Sequence, residues 1–181
     1  MKTPKYVIPY TLLCNKEASL LDVATYIALI KNMNYKSKIV HISREDLSKL
    51  VPAKIDTIRD SMNYLAKSGF IEFTKDSRQY ITKITFDATS QSYVAYNYVL
   101  YNLISGAAAS IYTKLLMIAG KEKIIYAGIT SVAEKLNVNY RRLRSCLEEL
   151  SSKGLLSLDK DGNIVIQVVT TNDEQKQDRT E

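Results

Sequence analysis

The chain has 181 residues, 46% of them apolar and 24% charged, as expected for a folded globular chain of one domain or two small ones. No apolar run approaches the roughly 18 residues of a membrane span, and residues 1–16 lack both an apolar core and a small-residue cleavage site. A cytosolic chain is therefore expected. The net charge is +6, unevenly placed: residues 1–90 hold 14 Lys/Arg against 9 Asp/Glu, or +5, and the remainder 11 against 10, or +1. That surplus permits a polyanionic partner without requiring one.

In chain order, a first helix is predicted from Ser19, whose hydroxyl can cap the free N–H groups of the first turn, to about Met33. Its apolar residues Leu21, Ala24, Ile27 and Ala28 recur at helical spacing. A short strand follows at 39–42. Ser43 then caps a second helix ending at Leu50, and a third helix covers about 54–68. Gly69 ends it, where a left-handed residue is needed. Strands at 70–74 and 80–86 close the unit.

The same order returns from Ser105. A helix runs to about Ala119, a strand occupies 123–129, Thr130 caps a short helix ending at Leu136, and a third helix covers about 139–153. Gly154 ends that helix, and strands at 155–158 and 163–169 flank the turn Asp161-Gly162-Asn163. Four blocks of sequence support an internal repeat at a shift of 85–87 residues. K-Y-V-I-P-Y-T-L-L (5–13) resembles S-Y-V-A-Y-N-Y-V-L (92–100), and the helix A-S-L-L-D-V-A-T-Y-I-A-L-I (18–30) resembles 106–118. I-S-R-E-D-L-S-K-L (42–50) matches I-T-S-V-A-E-K-L (129–136), and 58–71 matches 143–156.

Helix, strand, helix, turn, helix and a two-stranded wing is the winged helix-turn-helix order. The expected fold is α+β: two tandem winged helix-turn-helix units, helix-rich, with small antiparallel wings. The expected domains are 1–88 and 89–170, joined through a linker at 87–92, with a disordered polar tail at 171–181.

In such a unit the third helix enters the major groove of DNA. In the second unit, Leu143, Leu147 and Leu150 form one apolar stripe flanked by Tyr140 and Cys146. Arg141 and Ser145 then point away from the core, Arg142 and Arg144 sit on its shoulders, and Asn139 caps the helix. Arg can grip guanine O6 and N7 with two bonds, or grip a phosphate. Three Arg near a helix N-terminus oppose the helix dipole, which implies a partner. The acids Glu148 and Glu149 fall later, away from the expected groove.

The first unit differs. Ile55, Ile58, Met62 and Leu65 form its stripe, leaving Asp56, Asp60, Asn63 and Lys67 outward, and Arg59 can pair with Asp56 three residues earlier. Its candidate DNA contacts are Arg44, Lys54, Thr57, Arg59 and the wing residues Lys75 and Arg78, which can follow a phosphate backbone or enter a minor groove. The halves are thus expected to divide the work, the second reading bases and the first clamping backbone. The second wing, D-K-D-G-N, is a poor DNA ligand.

His41, the single histidine, lies on a predicted strand, so no histidine triad or metal site is expected. No Gly-rich phosphate loop and no tight carboxylate cluster appears. A non-enzyme without cofactor, metal or evident small-molecule ligand is expected. Cys14 and Cys146 lack metal-ligand spacing and read as free thiols, Cys14 near a helix start and Cys146 on a helix flank. Of 13 tyrosines, several cluster at 93–101, which fits packing between the units or a homodimer surface.

The first unit resembles the N-terminal winged helix of plasmid replication initiators of low-GC bacteria. The likeness rests on K-Y-V-I-P-Y-T-L-L, A-S-L-L-D-V-A-T-Y-I-A-L-I and M-N-Y-L-A-K-S-G-F-I. Two tandem units over the whole chain look like the Rep initiator architecture, which implies contacts to origin repeats, on plasmid or nucleoid DNA. The additional domain of many such initiators is lacking, which leaves a plasmid or phage transcriptional regulator open. Tandem winged helices also look like the subunits that hold the kleisin of bacterial condensin, a protein-interaction scaffold. Those tend to be acidic, against the Arg141–Arg144 cluster.

Overall fold

The computed structural model describes residues 7–51, 53–76, 79–86, 93–95 and 104–167. The linker 87–92, Arg78, most of the Tyr-rich segment and the tail 171–181 lie outside the described residues. The fold is helix-rich α+β with small antiparallel sheets, and seven helices are seen among the described residues.

Strand β1 (Val7–Pro9) runs into the short helix α1 (Tyr10–Cys14), and helix α2 spans Leu20–Lys31. Ser19 and Asp22 form a reciprocal capping box on α2, each side chain taking up a backbone N–H of the other. Strand β2 (Ile39–Ser43) leads into α3 (Arg44–Leu50), where the Ser43 hydroxyl accepts from Asp46 N–H at 2.9 Å. Helix α4 (Ile55–Lys67) ends at Gly69, whose φ of 76° lets the Phe70 N–H reach back to the Leu65 carbonyl at 3.0 Å. Strands β3 (Ile71–Asp76) and β4 (Gln79–Ile84) complete a sheet of order β2-β4-β3.

After β5 (Tyr93–Ala95) the same succession recurs. It comprises α5 (Gly106–Ala119), β6 (Ile124–Ile125), α6 (Ile129–Leu136), α7 (Tyr140–Ser152), β7 (Leu156–Leu158) and β8 (Ile164–Ile166). The sheet order is β6-β8-β7, with the returning strand again central.

The agreement between halves extends to unusual backbone. Lys38 and Lys123, each just before its first sheet strand, both hold positive φ, at 55° and 60°. This region is rarely entered by residues other than Gly. In each half the carbonyl of that lysine accepts from the last strand, from Ile84 N–H at 2.9 Å and from Ile166 N–H at 2.7 Å. Gly154 repeats Gly69, with φ 68° and a Leu155 N–H to Leu150 carbonyl bond of 2.9 Å.

The halves meet through corresponding elements. Strand β1 pairs antiparallel with β5, Ile8 opposite Val94, and α2 packs against α5. Both helices are buried nearly all round, as their almost unbroken apolar sequences require when each is covered by its own half and by its neighbour. Close approach is achieved with small residues. A Cβ placed on Gly106 would stand 3.5 Å from Ala24 Cβ, and the buried Ser110 hydroxyl lies 3.0 Å from the Leu20 carbonyl. One contiguous core runs through both halves, with Leu29, Ile58 and Leu65 from the first and Ile111, Leu143 and Leu150 from the second fully buried. Gly106 has ordinary negative-φ backbone and 3.5 Å of room. Gly106→Ala is therefore expected to be neutral or to raise stability by up to about 1 kcal/mol, through the unfolded state. A thermal melt checks it.

Several expectations are corrected. Ile55 is 44% exposed at the start of α4 and lies outside the core stripe. Helix α6 begins at Ile129 with Gly128 as its cap, so Thr130 sits inside the helix and the strand predicted at 123–129 shrinks to Ile124–Ile125. Cys14 ends a helix instead of starting one, while Cys146 is buried; both thiols are free. Of the segment 93–101, residues 93–95 pair their backbone with β1 of the same chain.

Candidate nucleic-acid interface

Helix α7 is held by one face. Leu143, Cys146, Leu147 and Leu150 are buried at three- and four-residue spacing, and burial pushes the Cys146 thiol pKa up. The opposite face carries the predicted DNA residues. Asn139 caps the helix, its carbonyl oxygen accepting from Arg141 N–H at 2.9 Å. Tyr140 is 42% exposed, and Arg141, Arg142, Arg144 and Ser145 are all exposed. The first turn holds no acidic residue.

The three arginines are not equivalent. Arg144 Nε lies 3.1 Å from Glu148 Oε1 one turn on, and that hydrogen bond is the main reason its guanidinium is held even more firmly protonated than usual. The Tyr140 hydroxyl adds to this. Arg141 and Arg142 enter none of the ion pairs among the described residues. Two exposed guanidinium groups thus stand at the positive end of a helix dipole, with no acid in that turn and no ion-pair partner among the described residues.

The carboxylates expected to lie clear of this surface have structural partners. Glu148 holds Arg144. Glu149 turns inward across 44 residues of sequence and accepts from Ser105 N–H at 2.6 Å and from the Ser105 hydroxyl at 2.8 Å. The start of α5 is therefore tied to the last turn of α7. This link was not foreseen, since the sequence shows only two adjacent acids.

The first half presents a different surface. On α4 the side chains of Lys54, Thr57 and Arg59 are exposed, but Arg59 is bracketed by Asp56 at 3.0 Å and Asp60 at 3.5 Å. The expected pairing of Arg59 with Asp56 is present. Arg44, at the first position of α3, stacks over the Tyr80 ring at 5.6 Å, and Phe73 packs edge-on against the same ring with centroids 5.5 Å apart. Arg44 is half-buried there, against strand β4. Lys75 is exposed on β3, opposite Tyr80. Arg78 lies outside the described residues.

The turn between β7 and β8 is closed by its own polar contacts. The Asp159 carboxylate accepts from Asp161 N–H at 2.9 Å, Asn163 N–H at 2.8 Å and the Asn163 side-chain amide at 2.8 Å. The bonds from Asn163 lead in holding its pKa below the ordinary carboxylate value. Its cation, Lys160, is exposed between Asp159 and Asp161.

His41 is exposed on β2. No group of three or more His, Cys, Asp or Glu side chains suited to a metal is found among the described residues. No described helix is long and apolar enough to cross a membrane. Comparison with protein-family models and with curated proteins found no match.

Proposed function

We propose that this chain is a tandem winged-helix protein that binds double-stranded DNA with sequence preference, acting as a replication initiator or a transcriptional regulator of a plasmid or phage. The reading places it in the cytosol on plasmid or nucleoid DNA and gives it no catalytic role. The observation that carries it is the pair Arg141 and Arg142, exposed and without ion-pair partners among the described residues at the N-terminal turn of α7. Two uncompensated cations at that end of a helix disfavour the free protein and favour an anionic partner.

The shared element order, the common sheet order and the matching Lys38 and Lys123 backbone support two copies of one unit. In this reading α7 enters the major groove, with Asn139, Tyr140, Arg141, Arg142 and Ser145 nearest the bases and Arg144 held back by Glu148. Helix α4, with Arg59 already bracketed by two carboxylates, is not a second reader. Its half contributes Lys54, Lys75 and Arg78 along the backbone. Use of residues 93–95 within the chain favours a packing role for that segment over a homodimer surface.

The test is selection from random duplexes, followed by a salt titration on the enriched sequence. An enriched sequence is expected, with log affinity falling against log salt at a slope of about −3 if Lys54, Lys75 and Arg78 each neutralise a phosphate while Arg141 and Arg142 contact bases. No duplex binding at low salt would remove the initiator and regulator readings together and leave the interaction scaffold.

A further inference from the structure

Where the two halves meet, a cavity of about 210 Å³ opens between the end of α1, the middle of α5 and the end of α6. Leu13, Met117, Ile118 and Leu136 give it apolar walls. Its charged lining consists of Lys16, Lys114 and Lys135, with no carboxylate among the lining residues.

Lys114 is the unusual member. It sits in the middle of α5 and is only 5% exposed, yet none of the hydrogen bonds or ion pairs of the described residues takes up its ammonium. At the nearby end of α6 the Glu134 and Ala133 carbonyls take up Asn137 N–H and Val138 N–H. An ammonium on a side chain this buried, with no partner among the described residues, is costly to hold. Accordingly burial pulls the Lys114 pKa down, opposed only by the Cys14 thiol beside it.

We infer that this cavity is a binding site for a small carboxylate with an apolar body, its carboxylate on Lys114 and its apolar part against Leu13, Met117 and Leu136. The cavity exceeds the roughly 150 Å³ that holds a benzene ring in an apolar core, so a single-ring acid fits. Apolar walls favour such a ligand over inorganic phosphate, and a charge-assisted bond in a desolvated pocket is stronger than its surface equivalent. Lys16 and Lys135 at exposed positions attract the anion. Its walls come from both halves, so an occupant touches both at once.

The test uses the whole chain and three probes: benzoate, its neutral analogue benzamide, and inorganic phosphate. Calorimetric titration is expected to show benzoate binding at least about tenfold tighter than benzamide or phosphate. The Met117 methyl resonance is expected to move on adding benzoate. Lys114→Met keeps the length of the side chain and removes the charge. It is expected to raise the melting temperature of the free protein by about 2–4 °C and to reduce benzoate affinity to the benzamide level. Equal affinity for benzoate and benzamide, phosphate binding as tightly as benzoate, or an unmoved Met117 methyl would each overturn the proposal. So would a folded Lys114→Met protein that still prefers benzoate. The probe comparison and the methyl shift need only the unaltered chain, so failure of the variant to fold leaves both decisive.

Discussion

Replacing Arg141 and Arg142 together with Ala is expected to weaken binding to the selected duplex by about 10²-fold, since each bidentate contact to a base contributes about 1–3 kcal/mol. Binding to random duplex should fall much less, so the ratio between the two collapses. The melting temperature sets this apart from a structural effect. Both side chains are exposed, neither enters an ion pair among the described residues, and both sit at the positive end of α7. Their removal relieves an unfavourable dipole interaction of about 0.3–1 kcal/mol each at low salt, so the variant should melt at the same temperature or slightly higher. Lost affinity with unchanged or improved stability is the signature of residues kept for a partner. Replacing Lys75 and Arg78 instead should weaken binding to any sequence and flatten the salt slope. If the two pairs have equal effects on selected and random duplex, the division of work between the halves fails. Arg144→Ala should have a smaller effect than either arginine before it, because binding must first draw that guanidinium from Glu148.

The contrast between α7 and α4 was largely legible in the sequence. Helical spacing alone puts Asp56 within reach of Arg59, and it separates Arg141 and Ser145 from the leucine stripe. The caps at Ser19 and Ser43 were legible for the same local reason, while the expected one at Thr130 was not the cap. Ser19 and Ser43 each precede an Asp by three residues, so cap and acid answer one another within one turn. What escaped was non-local. Val7–Pro9 is three residues long and contains Pro, with no periodicity of its own. It is a strand only because residues 93–95 lie beside it. Glu149 reads as one of two surface acids until α5 delivers Ser105 to it. Lys114 reads as a polar residue near the stripe of Ile111, Leu115 and Ile118; it is buried because α5 is enclosed by both halves. The left-handed backbone of Lys38 and Lys123 has no sequence signal, since a sheet connection imposes it on a residue that gains nothing locally from it. Hence the candidate DNA surface, built on single helices, was mostly visible, while the cavity at the junction was not.

Leu143→Ala tests whether the halves are one folding unit. Leu143 lies between Arg142 and Arg144 and is fully buried, in a core shared with residues of the first half. Truncation should cost about 2–5 kcal/mol, for lost transfer energy and the cavity left behind. For a chain of this size about 3 kcal/mol corresponds to a melting temperature lower by about 6–12 °C. Because α2 packs on α5, β1 pairs with β5 and the core is contiguous, a single calorimetric transition should shift as a whole. Two transitions, with the first half melting where it did before, would mean that the seam between α2 and α5 is too weak to couple the halves. The same variant separates stability from recognition. Well below its midpoint the arginine face of α7 still stands on Cys146, Leu147 and Leu150, so affinity for the selected duplex should stay within a few-fold of the unaltered chain. The arginine variant loses affinity without losing stability, and Leu143→Ala does the reverse; if both lost both, α7 would be a structural helix whose arginines are part of its packing.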